Sequence, residues 1–261
     1  MNFSVKLGDN DISKQKVSCI ILPIFSDSKL NGPLLKLDKA SNGIISNHLN
    51  KSHLSSEEGK TFMLSDIDGI NADSLLFVGC GKKDNFSPTV LQKALSAAVQ
   101  VITDTNIRNA SSYLSFYLEK SLSSYYASRF SVEAVFSKLY KFDELKSKKS
   151  LICKFTKLYI GLPKSSNSKE AKKGIKDGIA ISNGMNLAKD LGNRPPNICT
   201  PSHLSKEAKK IEKKYKNTKV KILSKIEMKK LGMGAFLSVT QGAAEPPKFI
   251  IIEYSGARQS E

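Results

Sequence analysis

The side chains of this chain best suited to metal or nucleophilic chemistry are three histidines, four cysteines and a thin scatter of acids. His48 and His53 stand five residues apart, whereas two histidines that clamp a metal from one helix face are spaced four apart. His203 stands alone near a helix start, and no H-E-x-x-H occurs. The histidines therefore read as surface or core-edge residues. Cys19, Cys80, Cys153 and Cys199 lie far apart with no C-x-x-C pair, which argues for buried, reduced thiols over a zinc site or a disulfide framework. No G-x-S-x-G elbow marks a nucleophile. Asp66 and Asp68 sit two apart in a loop-like stretch, and Glu57-Glu58 read as solvated, so no carboxylate pair forms an acid/base site. On this reading the chain offers no catalytic, cofactor-binding or metal-binding residue.

Two further features invite an anion. Gly79-Cys80-Gly81-Lys82 follows a strand, where glycines let backbone N–H groups approach a phosphate. The G-x-G-x-x-G pattern is not completed, since position 84 is Asp84, and a tight strand-to-loop turn is the favoured reading. The second feature is a helix face carrying Lys206, Lys209, Lys210, Lys213, Lys214 and Lys216, able to meet phosphates without reading bases. Glu207 and Glu212 interleave as helix-stabilising partners, which favours a solvated face. The net charge of +17 extends the same theme, since a basic field attracts nucleic acid or anionic surfaces. Lysine supplies nearly all of it, alongside abundant Ser, Asn and Ile, as compositional drift would produce.

Elements must position these residues, and 261 residues suffice for two unequal domains with real cores. No apolar run approaches the roughly 18 residues of a membrane span, and the N-terminus lacks a basic stretch followed by an apolar core, which predicts a cytoplasmic protein with no membrane partner. Phe3, Val5 and Leu7 alternate like a strand, and residues 17–24 and 74–79 are continuous β-rich runs. Proline entry and apolar spacing predict a helix over 88–103, and a similar pattern recurs over 121–140. Strands are expected over 110–118 and 151–161. The polar stretch 164–169 is the best domain boundary.

Beyond it, 169–191 reads as one helix with Ala171, Ile175, Ile179, Ser182 and Leu187 along one face, stopped by Pro195-Pro196. Thr200-Pro201 offers an N-cap and a first-turn proline for a second helix through Tyr215. Residues 220–222 read as a short strand, 224–231 as a short helix and 248–254 as a strong strand.

The segment Asn186-Leu187-Ala188-Lys189-Asp190-Leu191-Gly192-Asn193-Arg194-Pro195-Pro196-Asn197-Ile198-Cys199-Thr200-Pro201 closely resembles the N-L-A-R-D-L-x-N-x-P-P-N-x-x-T-P block of leucyl (cytosol-type) aminopeptidases. Residues 231–243, then Pro246-Pro247-Lys248-Phe249-Ile250 and Glu253-Tyr254, resemble the family's next block. Leu75 to Lys82 resembles its L-V-G-L-G-K strand more weakly. The wording is most similar to the bacterial branch. Arg194 replaces the usual Glu or Met, and Ala243 the usual Ser.

The resemblance implies an α/β chain. Residues 1–165 would form a macro-like N-terminal α/β domain. Residues 166–261 would form a linking helix and the first, incomplete part of an α/β catalytic domain of the zinc-peptidase-like type. It implies a homo-hexameric enzyme that releases N-terminal residues from peptides, using two divalent metal ions (Mn or Zn). Some members double as DNA-binding regulators. The family's metal ligands come from a G-K-G-x-T-F-D block, a later aspartate and a D-x-E motif, all beyond Tyr254. Lys248 and Asp190 match non-ligand positions. The chain alone is therefore expected to hold no metal and to lack hydrolytic activity. Its second domain should be unstable by itself, because Phe249, Ile250, Ile251 and Ile252 would want neighbouring strands. The rival expectations are a DNA-binding regulatory module and a macro-like domain taking ADP-ribose near Gly79 to Lys82.

Overall fold

The computed structural model describes residues 3–8, 11–12, 15–27, 29–51, 53–118, 122–150 and 153–256. The chain divides into two compact units, Met1–Leu187 and Ala188–Glu261.

The first unit is built on a sheet of β1 (Ser4–Leu7), β2 (Cys19–Ile24), β3 (Thr61–Ser65), β4 (Ser74–Gly79), β5 (Asn109–Ser112) and β6 (Lys157–Ile160), in the order β1-β6-β5-β2-β4-β3. All pairings are parallel except β3 with β4. Every residue of β2 and β4 is buried, which is what an apolar run without alternation requires when both sheet faces are covered. Pro23 sits within β2 although it has no N–H to donate. The carbonyl of Ile21 accepts from Tyr113 on the β5 side, so Pro23, two residues on, faces that same side, where the β5 ladder has already ended at Ser112. The missing donor therefore leaves no ladder bond unmade.

Helices α1 (Gly32–Ala40), α2 (Ile44–Asn50), α3 (Pro88–Thr103), α4 (Leu114–Leu118), α5 (Ser124–Leu139) and the greater part of α6 (Ser168–Asn193), whose last residues from Ala188 belong to the second unit, complete this half. In α3 the Ser87 hydroxyl accepts from the Val90 N–H at 3.4 Å, Pro88 occupies the first turn, and Leu91, Ala94, Leu95, Ala98, Val99 and Ile102 form the buried stripe. Gly174 and Gly178 let α6 lie backbone-close to α5, since a Cβ on Gly174 would stand 2.2 Å from the Tyr125 carbonyl oxygen.

The second unit comprises α7 (Pro201–Lys214), β7 (Thr218–Leu223), α8 (Lys225–Lys230), α9 (Gly234–Ser238) and β8 (Phe249–Tyr254). β7 and β8 form a two-stranded antiparallel sheet. Its buried apolar residues are few, Ala208, Val220, Leu223, Met228 and Pro247, and no residue of β8 is buried. Among the described residues no helix is long and apolar enough to cross a membrane.

Several sequence expectations need correction. The strand expected over 110–118 ends at Ser112, because Leu114–Leu118 turns into α4 to bury Leu114, Tyr117 and Leu118. The strand expected over 151–161 is confined to Lys157–Ile160, and residues 151 and 152 lie outside those described. The helix expected from 121 begins at Ser124, and residue 121 also lies outside. Helices α1, α2 and α9 and strand β3 are short and carry little periodic signal in the sequence.

Candidate functional site

The glycine turn after β4 is occupied by the protein's own backbone. Gly79 N–H donates to the Lys60 carbonyl at 2.8 Å, Cys80 N–H to Ile24 at 2.9 Å and Gly81 N–H to Ser56 at 2.7 Å. Amides already spent on carbonyls cannot cradle a phosphate. Gly79 is glycine for another reason: a Cβ there would meet the Glu57 carbonyl oxygen at 2.0 Å. Gly81 takes the left-handed region, with φ +67°. The strand-to-loop turn is thus a packing device, and Gly79, Cys80 and Gly81 have no free amide to offer the ADP-ribose expected near Gly79 to Lys82.

Cys80 in this turn and Cys19 at the far end of β2 are chemically quiet. Cys80 is buried, and desolvation, with the Glu58 carboxylate second, pushes its thiol up to about 12. Burial lifts Cys19 to about 11. Such thiols stay protonated near neutrality and are poor nucleophiles. Cys153 and Cys199 are half-buried.

The histidines behave differently from their spacing. The Nδ1 atoms of His48 and His53 lie 3.1 Å apart, although the two were read as unable to share a face. The helix α2 ends between them, so helical periodicity no longer governs their separation. His203 lies in the first turn of α7, where Thr200 Oγ1 accepts from its backbone N–H at 3.2 Å. Its Nε2 lies 3.3 Å from an Arg194 guanidinium nitrogen and 3.8 Å from Glu207 Oε1, and Lys210 Nζ reaches the same Glu207 oxygen at 2.7 Å. Arg194, from the double-proline turn, is thereby tied to α7.

The lysine face of α7 is partly committed. Lys209 Nζ donates to Glu212 at 2.8 Å and to the Val220 carbonyl at 2.6 Å, while Glu212 accepts the Val220 N–H at 2.7 Å. Lys209 and the Val220 N–H hold the Glu212 carboxyl below its ordinary value. This two-way clamp fastens α7 to β7. Lys206, Lys213, Lys214 and Lys216 remain exposed. The Ser224 and Glu227 side chains close a capping box at the start of α8.

Among the described residues no three His, Cys, Asp or Glu side chains converge where a metal ion would sit. Asp66, with φ +54°, and Asp68 occupy the turn after β3. Glu58 pairs with Lys93 at 3.1 Å. Asp190 lies in the last turn of α6 and Lys248 immediately before β8.

The segment from the last turns of α6 through the Thr200 cap has the order expected from its motif: helix, double-proline turn, capped helix. Residues 21–149 match the N-terminal domain of the cytosol aminopeptidase family, and residues 186–261 match its catalytic domain. The chain belongs to the cytosol aminopeptidase family. A probable cytosol aminopeptidase of Nitrosococcus oceani is 37% identical over 98% of this chain and 51% of its own length. One from Paraburkholderia phymatum is 36% identical over 98% and 52%. This cytosol aminopeptidase chain thus spans about half the length of the curated relatives it matches. Among solved structures, a mutant of tomato leucine aminopeptidase superposes with a TM-score of 0.82 at 24% identity, covering 98% of this chain and 52% of that one. The bottromycin maturation enzyme BotP in complex with Mn superposes at 0.70 and 17% identity, covering 92% and 45%. These likenesses bear on the fold, which is mixed α/β with a mainly parallel sheet.

Proposed function

We propose that these residues serve as the N-terminal half of a leucyl aminopeptidase that releases N-terminal amino acids from peptides in the cytoplasm. On this reading residues 1–165 are the N-terminal domain, and 166–261 are the linking helix and the opening of the catalytic domain. The observation that carries it is the match of both family domains, in order, to one chain whose motif segment folds as helix, double-proline turn and capped helix. The complete enzyme would be a homo-hexamer using two divalent ions, Mn or Zn; the BotP structure holds Mn. The described residues do not fit that pair of ions, since no three ligating side chains converge. No hydrolytic step is therefore assigned to them, and their part is to fold, to position and to assemble.

A chimera tests the proposal. This chain, placed ahead of the remaining half of the Nitrosococcus oceani relative, should hydrolyse leucine 4-nitroanilide with added Mn²⁺, while the 261 residues alone should not. A folded chimera without turnover removes the aminopeptidase role. Turnover by the 261 residues alone overturns the assignment of a non-catalytic part.

A second reading, a DNA-binding regulatory role, is favoured by the net charge of +17 and the exposed Lys206, Lys213 and Lys216. Duplex affinity should then fall steeply with salt, and no binding at low ionic strength dismisses it.

A further inference from the structure

His48 lies in the last turn of α2, and His53 follows just past its end. The His53 N–H donates to the His48 carbonyl at 3.0 Å, a six-to-one bond of the kind that closes a Schellman cap. Such a cap brings the residues at its two ends side by side, and here both are imidazoles. Their Nδ1 atoms stand 3.1 Å apart, with ring centroids at 5.3 Å. The Phe62 ring of β3 backs His48 at 5.6 Å. His53 is exposed and His48 half-buried, so the pair is open to solvent.

We propose that His48 and His53 together bind a divalent d-block cation of the zinc or nickel class, as a two-nitrogen chelate completed by water. Imidazole–metal bonds run about 2.0–2.1 Å, so nitrogens 3.1 Å apart subtend about 98° at the ion, between the octahedral and tetrahedral angles. Without metal, one Nδ1 donates a proton to the other. To take the ion, the donor ring's proton passes through solvent from Nδ1 to its own Nε2, so that both rings stay neutral imidazoles, and each ring turns slightly about its Cβ–Cγ bond so that both Nδ1 lone pairs converge on the ion. The exposure of His53 leaves that turn open. The carbonyl ends of α2 add partial negative charge where the cation would sit, while the charge of exposed Lys51 is largely screened by solvent. The site is independent of the aminopeptidase reading, and it uses residues outside the family's expected ligand blocks.

Calorimetric titration of NiCl2 and ZnCl2 into the 261-residue chain, compared with His48→Ala and His53→Ala, decides the matter. Loss of supporting groups around a metal already costs about tenfold or more in affinity, so loss of a direct ligand should weaken binding by at least that factor. In the same chain, Ni²⁺ should broaden the imidazole proton signals of His48 and His53 and spare that of His203, whose ring lies beside the Arg194 guanidinium and no second imidazole. Should His48→Ala fail to fold, the exposed His53→Ala decides alone. Absence of uptake at millimolar Ni²⁺, variants that titrate like the parent, or broadening confined to His203 each overturn the site and leave a plain hydrogen bond between two histidines.

Discussion

Gly79 shows how closely single residues are fitted in this protein. Its missing Cβ makes room for the Glu57 carbonyl, which also accepts the Lys60 N–H, so the obstacle is fixed backbone and cannot swing away. Gly79→Ala should lower the unfolding free energy of the first unit by about 3 kcal/mol, the upper end for forced overpacking, read from denaturant midpoints. The buried thiols make a second expectation: with Cys80 near 12 and Cys19 near 11, iodoacetamide at pH 8 should label only Cys153 and Cys199 in the folded protein. Mass spectrometry of tryptic peptides checks it, and rapid native-state labelling of Cys80 would contradict the structure. The glycine turn and the buried Cys19 and Cys80 were legible as quiet residues from sequence, whereas Cys153 and Cys199, also expected to be buried, are only half-buried. The histidine pair was not legible, because spacing rules assume one continuous helix and α2 stops between the two rings.

At the scale of elements, the connection from α5 to β6 is organised around Asp143. Lys146 Nζ donates to its carboxylate at 2.9 Å, and the Ser150 hydroxyl and N–H at 3.0 and 3.1 Å. The Lys146 bond first, then those of Ser150, pull Asp143 down to about 2. Because the folded value lies below the ordinary one near 3.8, the contribution of these bonds is complete above pH about 4 and fades as pH falls toward 2. A carboxyl chemical-shift titration should place the Asp143 midpoint near 2, and a midpoint at the ordinary value would refute the loop geometry. Long elements were legible: the proline entry of α3, the cap of α7, the double-proline stop after α6 and the buried runs of β2 and β4 each rest on local chemistry. Short ones such as α1, α2 and β3 take their conformation from the sheet they pack on or pair with, and their sequences carry little signal of their own.

Across the whole molecule the two units differ in how well they are closed. β2 and β8 are both apolar runs, yet every residue of β2 is buried and none of β8. Ile226, Leu231, Phe236, Val239, Ile252 and Tyr254 are likewise exposed in the second unit. Heating the 261-residue chain should therefore give two transitions, the lower one belonging to residues 188–256 and preceded by binding of a hydrophobic dye. Hydrogen exchange resolves which unit opens first, and a single cooperative transition would defeat the expectation. The apolar character of β8 was plain in the sequence. Its exposure agrees with what the family resemblance implied, that Phe249, Ile250, Ile251 and Ile252 would want neighbouring strands.

The pairing of β1 with β6 also has a consequence in time. Ser4–Leu7 are synthesised some 150 residues before Lys157–Ile160, the strand they pair with among the described residues. At ribosomal speeds of about 5–20 residues per second, the leading strand waits roughly 10–30 s for its partner. During that interval β2 and β4, whose pairing spans far less chain, can assemble without it. The N-terminal strand is thus the last of the parallel set to dock, and slowing translation between codons 80 and 160 should prolong the period in which nascent chains expose it to proteases.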